Sequence, residues 1–226
     1  MEYLPALTVQ SVMPTAVLSS DGGTVRVSGT GFRTDREMAC RVGRVQVLAS
    51  VLNSTQLLCQ VPSSAAAGVQ RAAIGVGFNA MDSVPFVQSE TVSITYVSGP
   101  SVVQLRPSAG PFEGGSRVAV LPGTGQRFEE SANGVSVDWQ CIFRLDPFPG
   151  AAVNIPVEQN PARSIAVPAA LQADGSLVCV SPPTSRGPRI VSRLPASVHI
   201  SPLGSSTGYS TGLTFTYSVG IVATRM

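Results

Sequence analysis

Hydrophobic and polar positions alternate along much of this chain with the two-residue period of a half-buried β-strand. Thr24-Val25-Arg26-Val27-Ser28 sends both valines to one side and the polar residues to the other. Thr91-Val92-Ser93-Ile94-Thr95-Tyr96, Ser197-Val198-His199-Ile200-Ser201 and Leu213-Thr214-Phe215-Thr216-Tyr217 do the same. Val45-Gln46-Val47-Leu48 and Gly134-Val135-Ser136-Val137 are apolar stretches of strand length, rich in β-branched residues. Turn clusters separate them: Ser19-Ser20-Asp21-Gly22-Gly23, Pro62-Ser63-Ser64 and Ser181-Pro182-Pro183-Thr184. No stretch carries the period of an amphipathic helix. Short strands and dense turns over this length predict an all-β chain of two β-sandwiches in tandem.

The punctuation between strands occurs twice. Asp21-Gly22-Gly23-Thr24 leads to Gly29-Thr30-Gly31-Phe32, and Glu113-Gly114-Gly115-Ser116 leads to Gly123-Thr124-Gly125. Each set is followed by a cysteine, then by a second one in the frame Cys-x-x-Pro, then by a strand ending in tyrosine. Cys59-Gln60-Val61-Pro62 with Tyr96 answers Cys179-Val180-Ser181-Pro182 with Tyr217. A repeat of one supersecondary unit means that function belongs to a tandem array. We read residues 1–98 as one domain, 99–218 as a second, and 219–226 as the start of a further repeat, because Ile221–Met226 resembles Val102–Pro107. Cys40 and Cys59 are 19 residues apart, whereas Cys141 and Cys179 are 38 apart. The second copy is therefore expected to hold an insertion from Asp146 through Pro168, in a loop where added length costs little closure entropy.

Composition narrows the class. The 226 residues are 43% hydrophobic, which excludes disorder, and only 12% charged, about half the usual fraction. Twenty-two glycines and 18 prolines favour turns over helices. A net charge of +2 offers no strong field for nucleic acid or a membrane surface. No apolar run is long enough to cross a bilayer as a helix. Met1-Glu2-Tyr3-Leu4-Pro5 is unlike a signal peptide, yet the matched cysteines point to an oxidising compartment. The expectation is a segment of a secreted or membrane-anchored precursor.

Pro14, Asp21-Gly22-Gly23-Thr24-Val25, Gly29-x-Gly31-Phe32, Cys40-x-x-Gly43, Cys59-x-x-Pro62 and Ile94-x-Tyr96, in that order, resemble the IPT/TIG domain. Pro107-Ser108-Ala109-Gly110-Pro111-Phe112-Glu113-Gly114-Gly115 repeats the opening of that pattern. The second copy departs from it in the spacing before Gly123 and in Cys141-Ile142-Phe143-Arg144, which lacks the glycine found at Gly43. The resemblance implies an immunoglobulin-like fold of the kind found in plexin-like ectodomains, multi-repeat surface proteins and Rel-type transcription factors. It fixes a fold and leaves activity open.

The duplication selects one disulfide in each copy, Cys40–Cys59 and Cys141–Cys179, each worth roughly 3–4 kcal/mol. The competing reading is four reduced, buried cysteines. Zinc is disfavoured because no Cys-x-x-Cys occurs and the chain has a single histidine. Neither a metal nor a cofactor is expected. Asn53-Ser54-Thr55 is the one N-glycosylation sequon, placed in a polar break between strands. Arg33, Arg36, Arg41 and Arg44 form the densest basic stretch, a candidate contact for an anionic partner, diluted by Asp35 and Glu37. A solvated face is the competing reading. Gly204-Ser205-Ser206-Thr207-Gly208 matches Gly-x-Ser-x-Gly, but a strand follows it and His199 precedes it, so it reads as a hairpin loop and not as a nucleophile elbow. His199 itself is expected on a strand surface.

These readings converge on a non-enzymatic extracellular module pair that spaces and presents binding faces within a larger surface or matrix protein. Low charge adds the expectation of packing in a filament or coat. The partners expected are other proteins or neighbouring repeats, with glycans as a further class, but not nucleic acid and with no direct membrane span. A ligand-binding receptor ectodomain is the alternative. A glycan-binding appendage of an enzyme ranks below it, since aromatic residues are only 6% of the chain.

Overall fold

The strand alternation read from the sequence becomes alternating burial. In Gly23–Thr30 the valines at 25 and 27 are buried while Arg26 faces solvent. In Tyr209–Ser218 the buried pair is Phe215 and Tyr217. The computed structural model describes residues 6–64, 71–78, 86–132, 135–145, 164–184, 193–205 and 208–219. Among the described residues there is no helix, and none long and apolar enough to cross a membrane. The chain divides into two units: Met1–Ser98 with Ser131–Val137 and Pro202–Gly208, and Gly99–Glu130 with Asp138–Ser201 and Tyr209–Met226.

The strands of the first half are Thr8–Met13 (β1), Ala16–Leu18 (β2), Gly23–Thr30 (β3), Met38–Val42 (β4), Val45–Asn53 (β5), Gln56–Val61 (β6), Arg71–Phe78 (β7) and Val87–Val97 (β8). Their hydrogen-bonded order is β1-β3-β6-β5-β4-β7-β8-β2. The second half has Val102–Arg106 (β9), Ala109–Pro111 (β10), Arg117–Pro122 (β11), Ser131–Ala132 (β12), Val135–Ser136 (β13), Trp139–Leu145 (β14), Ser164–Leu171 (β15), Leu177–Val180 (β16), Arg193–Pro202 (β17) and Tyr209–Ser218 (β18). Apart from the small ribbon β12-β13, its ladder reads β9-β11-β16-β15-β14-β17-β18-β10, strand for strand the order of the first. Both ladders end in a parallel pair, β2 with β8 and β10 with β18. In the first, β1–β3, β3–β6, β5–β6, β4–β5, β4–β7 and β7–β8 are antiparallel. In the second, β9–β11, β11–β16, β15–β16, β14–β15 and β17–β18 are antiparallel. The repeated sequence is thus a repeated topology.

Each ladder is folded over at one strand. Cys40 on β4 pairs with Val47 of β5, and Cys59 on β6 pairs with Ala49 of the same strand. Strands one place removed in a flat sheet lie roughly 9–10 Å apart. Cys40 and Cys59 are disulfide-bonded with their Cα atoms 6.0 Å apart, so the sheet closes on itself around β5. In the second half Cys141 pairs with Val167 and Cys179 with Ala169, the intervening strand is β15, and the linked Cα atoms are 6.2 Å apart. One bridge per half therefore pins each sandwich at the same corner. The inner side of β5, Val47, Ala49 and Val51, packs on a core that includes Val25, Val27, Leu57 and Ile74. The second core is more aromatic, with Phe215 edge-on to both Phe143 and Tyr217.

Glycine makes the folded corner fit its neighbour. Gly22 and Gly114 have φ of +66° and +76°, and a Cβ at either would collide with the backbone of its own Cys-x-x-Pro segment. Tyr96 and Tyr217 reach the same segments: their hydroxyls donate to the carbonyls of Pro62 and Pro182 at 3.2 and 3.0 Å.

Two expectations change. The insertion does not extend to Pro168, because Ser164–Leu171 is β15 and ladders with β14; residues 146–163 lie outside the described ones. Pro168 is accommodated where it pairs with Gln140, just before the stretch of β15 that also ladders with β16. His199 is buried, not on the surface. A register shift between Ser197 and His199 breaks the alternation there, and the ring Nε2 lies 3.3 Å from the Ser197 hydroxyl.

Candidate functional site

β4 and β5 form a hairpin closed by Gly43-Arg44, since Val42 pairs with Val45. Arg44 is exposed on that turn, at the far end of β4 from Arg33 and Arg36, which lie in the segment leading into Met38. Arg41 is half-buried on β4, and its guanidinium sits 4.9 Å from the centroid of the Phe86 ring. The four arginines that look like one basic cluster in the sequence are split between two ends of a strand.

Arg33 and Arg36 do come together, along a groove of about 360 Å3 walled by Arg33, Arg36, Glu37, Met38, Leu48 and Val51. Arg33 holds Asp35 with a two-point fork, Nε to Oδ1 at 2.8 Å and the terminal nitrogen to Oδ2. That hydrogen bonding lowers the Asp35 carboxyl from 3.8 to about 2. Arg36 lies 6.0 Å over the Phe78 ring. Two arginines with Asp35 and Glu37 beside them give this rim little net charge. The opposite wall is the β5 stretch Leu48-Ala49-Ser50-Val51, in which Leu48 is 65% exposed; Leu52, further along β5 and outside the groove, is 47% exposed. Gln46, Leu48, Ser50 and Leu52, which alternate along this corner strand with its core-facing residues, are all exposed.

Sequence reasoning read Val45–Leu48 as a strand and missed that Leu48 would point to solvent. The available signal was Gln46 and Ser50, whose two-residue spacing puts Leu48 between them on the solvent side. The pairings of Arg41 with Phe86 and Arg36 with Phe78 were also missed, because each joins residues far apart in the chain.

Asn53 ends β5 and is exposed, with Ser54-Thr55 forming a two-residue turn into β6. Ser206 and Thr207 of the Gly-x-Ser-x-Gly match lie outside the described residues. Among the described residues no group of three His, Cys, Asp or Glu side chains is placed to hold a metal ion.

The model of the IPT/TIG domain family matches residues 7–96. That segment is an IPT/TIG domain. No curated protein matches the chain. Among solved structures, the plexin A4 full extracellular region, domains 1 to 10, aligns over 94% of this chain with a TM-score of 0.57 and 15% identity. A second structure of that extracellular region aligns over 94% of the chain with a TM-score of 0.47 and 13% identity. The chain spans 16% of the first plexin chain and 18% of the second. At this identity the likeness is one of fold. The IPT/TIG match covers the half that carries the groove and Asn53. The second half, without that match, shares its strand order, its corner disulfide and its Tyr–Pro hydrogen bond.

Proposed function

We propose that this chain is a non-enzymatic extracellular module pair, spacing and presenting faces for protein partners within a larger surface protein. The observation that carries this reading is the same disulfide at the same corner of both repeats, Cys40–Cys59 and Cys141–Cys179. Such bridges persist in oxidising compartments. The IPT/TIG domain and a plexin-like ectodomain fold support the same location. Stapled sandwiches hold their shape under dilution and proteolysis, which suits a spacer. Mixed-charge and apolar surface at the Arg33–Arg36 groove suits a polypeptide partner better than a polyanion. The alternative, a ligand-binding segment of a receptor ectodomain, is favoured by the plexin likeness alone.

The test is labelling of intact cells of the source with a membrane-impermeant amine- or carboxyl-directed reagent, followed by peptide mapping without reduction. Labelled protein with Cys40 joined to Cys59 is the expected result. Protection in intact cells together with free thiols would sink the extracellular reading. Sedimentation of the native assembly across a concentration series addresses lateral packing: strict monomers throughout would remove the filament or coat.

A further inference from the structure

We propose that Asn53 is a site of N-linked glycosylation, an inference that rests on the extracellular reading above. Three independent features meet at this residue. The first is the sequon Asn53-Ser54-Thr55 itself. The second is placement: all three residues are exposed at the tip where Asn53 pairs with Gln56 and the chain reverses. The third is local geometry. The Asn53 Oδ1 accepts from the Thr55 amide at 2.9 Å and from the Thr55 hydroxyl at 2.8 Å. The carboxamide is thus held through its oxygen, and Nδ2 takes no share in that turn.

This turn is made entirely within one tripeptide, so it forms before the sheet closes, when a nascent chain meets the transferase. The backbone of the tip is secured separately, since the Ser54 and Thr55 carbonyls accept from the amides of Phe32 and Gly29 at 3.1 and 3.0 Å. A substituent on the side chain therefore disturbs no hydrogen bond that holds the hairpin to β3. In the reaction Nδ2 attacks the anomeric carbon of a polyprenyl-diphosphate-linked oligosaccharide. A carbon–nitrogen bond forms, the bond from that carbon to the diphosphate oxygen breaks, and the lipid diphosphate leaves. Nδ2 gives up one proton to a base of the transferase. The glycan then stands beside Leu52 and closes this tip of β5 to protein partners, leaving the Arg44 end open.

The deciding experiment uses the native full-length protein, digested without reduction and treated with peptide-N-glycosidase in heavy-oxygen water. Conversion of Asn53 to isotopically labelled aspartate, in a chain with Cys40 joined to Cys59, is the expected result. Unmodified Asn53 in a chain whose cysteines are joined overturns this site and leaves the extracellular reading standing. Unmodified Asn53 with free thiols overturns both. Variants separate modification from turn-making in the chain secreted from a eukaryotic cell. Asn53→Asp keeps the acceptor oxygen and the fold yet loses the glycan, and Thr55→Val loses it too. Retention of the glycan in Thr55→Val would defeat the proposed role of the turn.

Discussion

The Tyr217 hydroxyl donates to the Pro182 carbonyl at 3.0 Å, tying the last strand of the second half to the segment after its second disulfide cysteine. Tyr217 is buried and so is this bond, which makes its loss measurable. Tyr217→Phe is expected to destabilise the second half by about 1 kcal/mol. Trp139, the single tryptophan of the chain, is buried in that half and reports its unfolding by fluorescence in urea. An unshifted midpoint would show that the carbonyl is equally well served by water.

The same phenol gives a pH dependence. Burial raises Tyr217 and Tyr209 well above the ordinary tyrosine value of 10.0. With the folded value above the unfolded one, the stabilisation is complete below 10.0 and is lost as pH rises through the folded values. Trp139 fluorescence should report a stability that falls on the alkaline side of 10.0, with a shallower fall in Tyr217→Phe. A flat profile in the parent chain would count against it.

Adjacent glycines should behave differently. Gly114→Ala places a methyl 2.6 Å from the Ser181 carbonyl oxygen at φ +76°, whereas Gly115→Ala at φ +82° meets nothing within 4 Å. The second change carries only the backbone strain of a left-handed alanine, about 1–2 kcal/mol. The first adds a clash with main chain and should cost distinctly more in the same urea titration. Equal losses would mean that the Ser181–Pro182 segment yields freely.

Removing the second bridge with Cys141→Ala and Cys179→Ala together should lower stability by roughly 4 kcal/mol, given its 38-residue separation. The 19-residue separation of Cys40 and Cys59 predicts roughly 3 kcal/mol for the corresponding pair in the first half. Circular dichroism in urea checks both, and a larger loss from the shorter loop would reverse the entropic ordering.

At the groove, Arg33 holds Asp35 at about 2, below 3.8, so the pair is formed at neutral pH and is lost as pH falls through about 2. An NMR titration of the Asp35 carboxyl carbon should show this low midpoint, and Arg33→Gln should return it toward 3.8. A midpoint unmoved by Arg33→Gln would assign the shift to something other than the fork.

Local period and turn chemistry made the strands, the duplication and one bridge per half legible in the sequence, because Val25, Val27, Phe215 and Tyr217 are buried by the same alternation that reveals them. What joined the motifs was not legible. Gly22, Pro62 and Tyr96 are far apart in the chain, and only folding brings a glycine and a phenol onto one proline segment. His199 was misplaced because a register shift leaves no mark in a run of alternating residues. The Arg33–Arg44 stretch looked like one patch because sequence proximity hides the length of β4 that divides it.

The corner disulfides also decide how the chain responds to tension. A pull applied along the backbone enters at Cys40 and leaves at Cys59 through the sulfur atoms, bypassing β5 altogether. The 19-residue and 38-residue separations spanned by the two bridges are then withheld from extension even after the sheets have ruptured. Each repeat would yield only part of its contour length before stiffening, so an array of them would stretch in short, bounded steps.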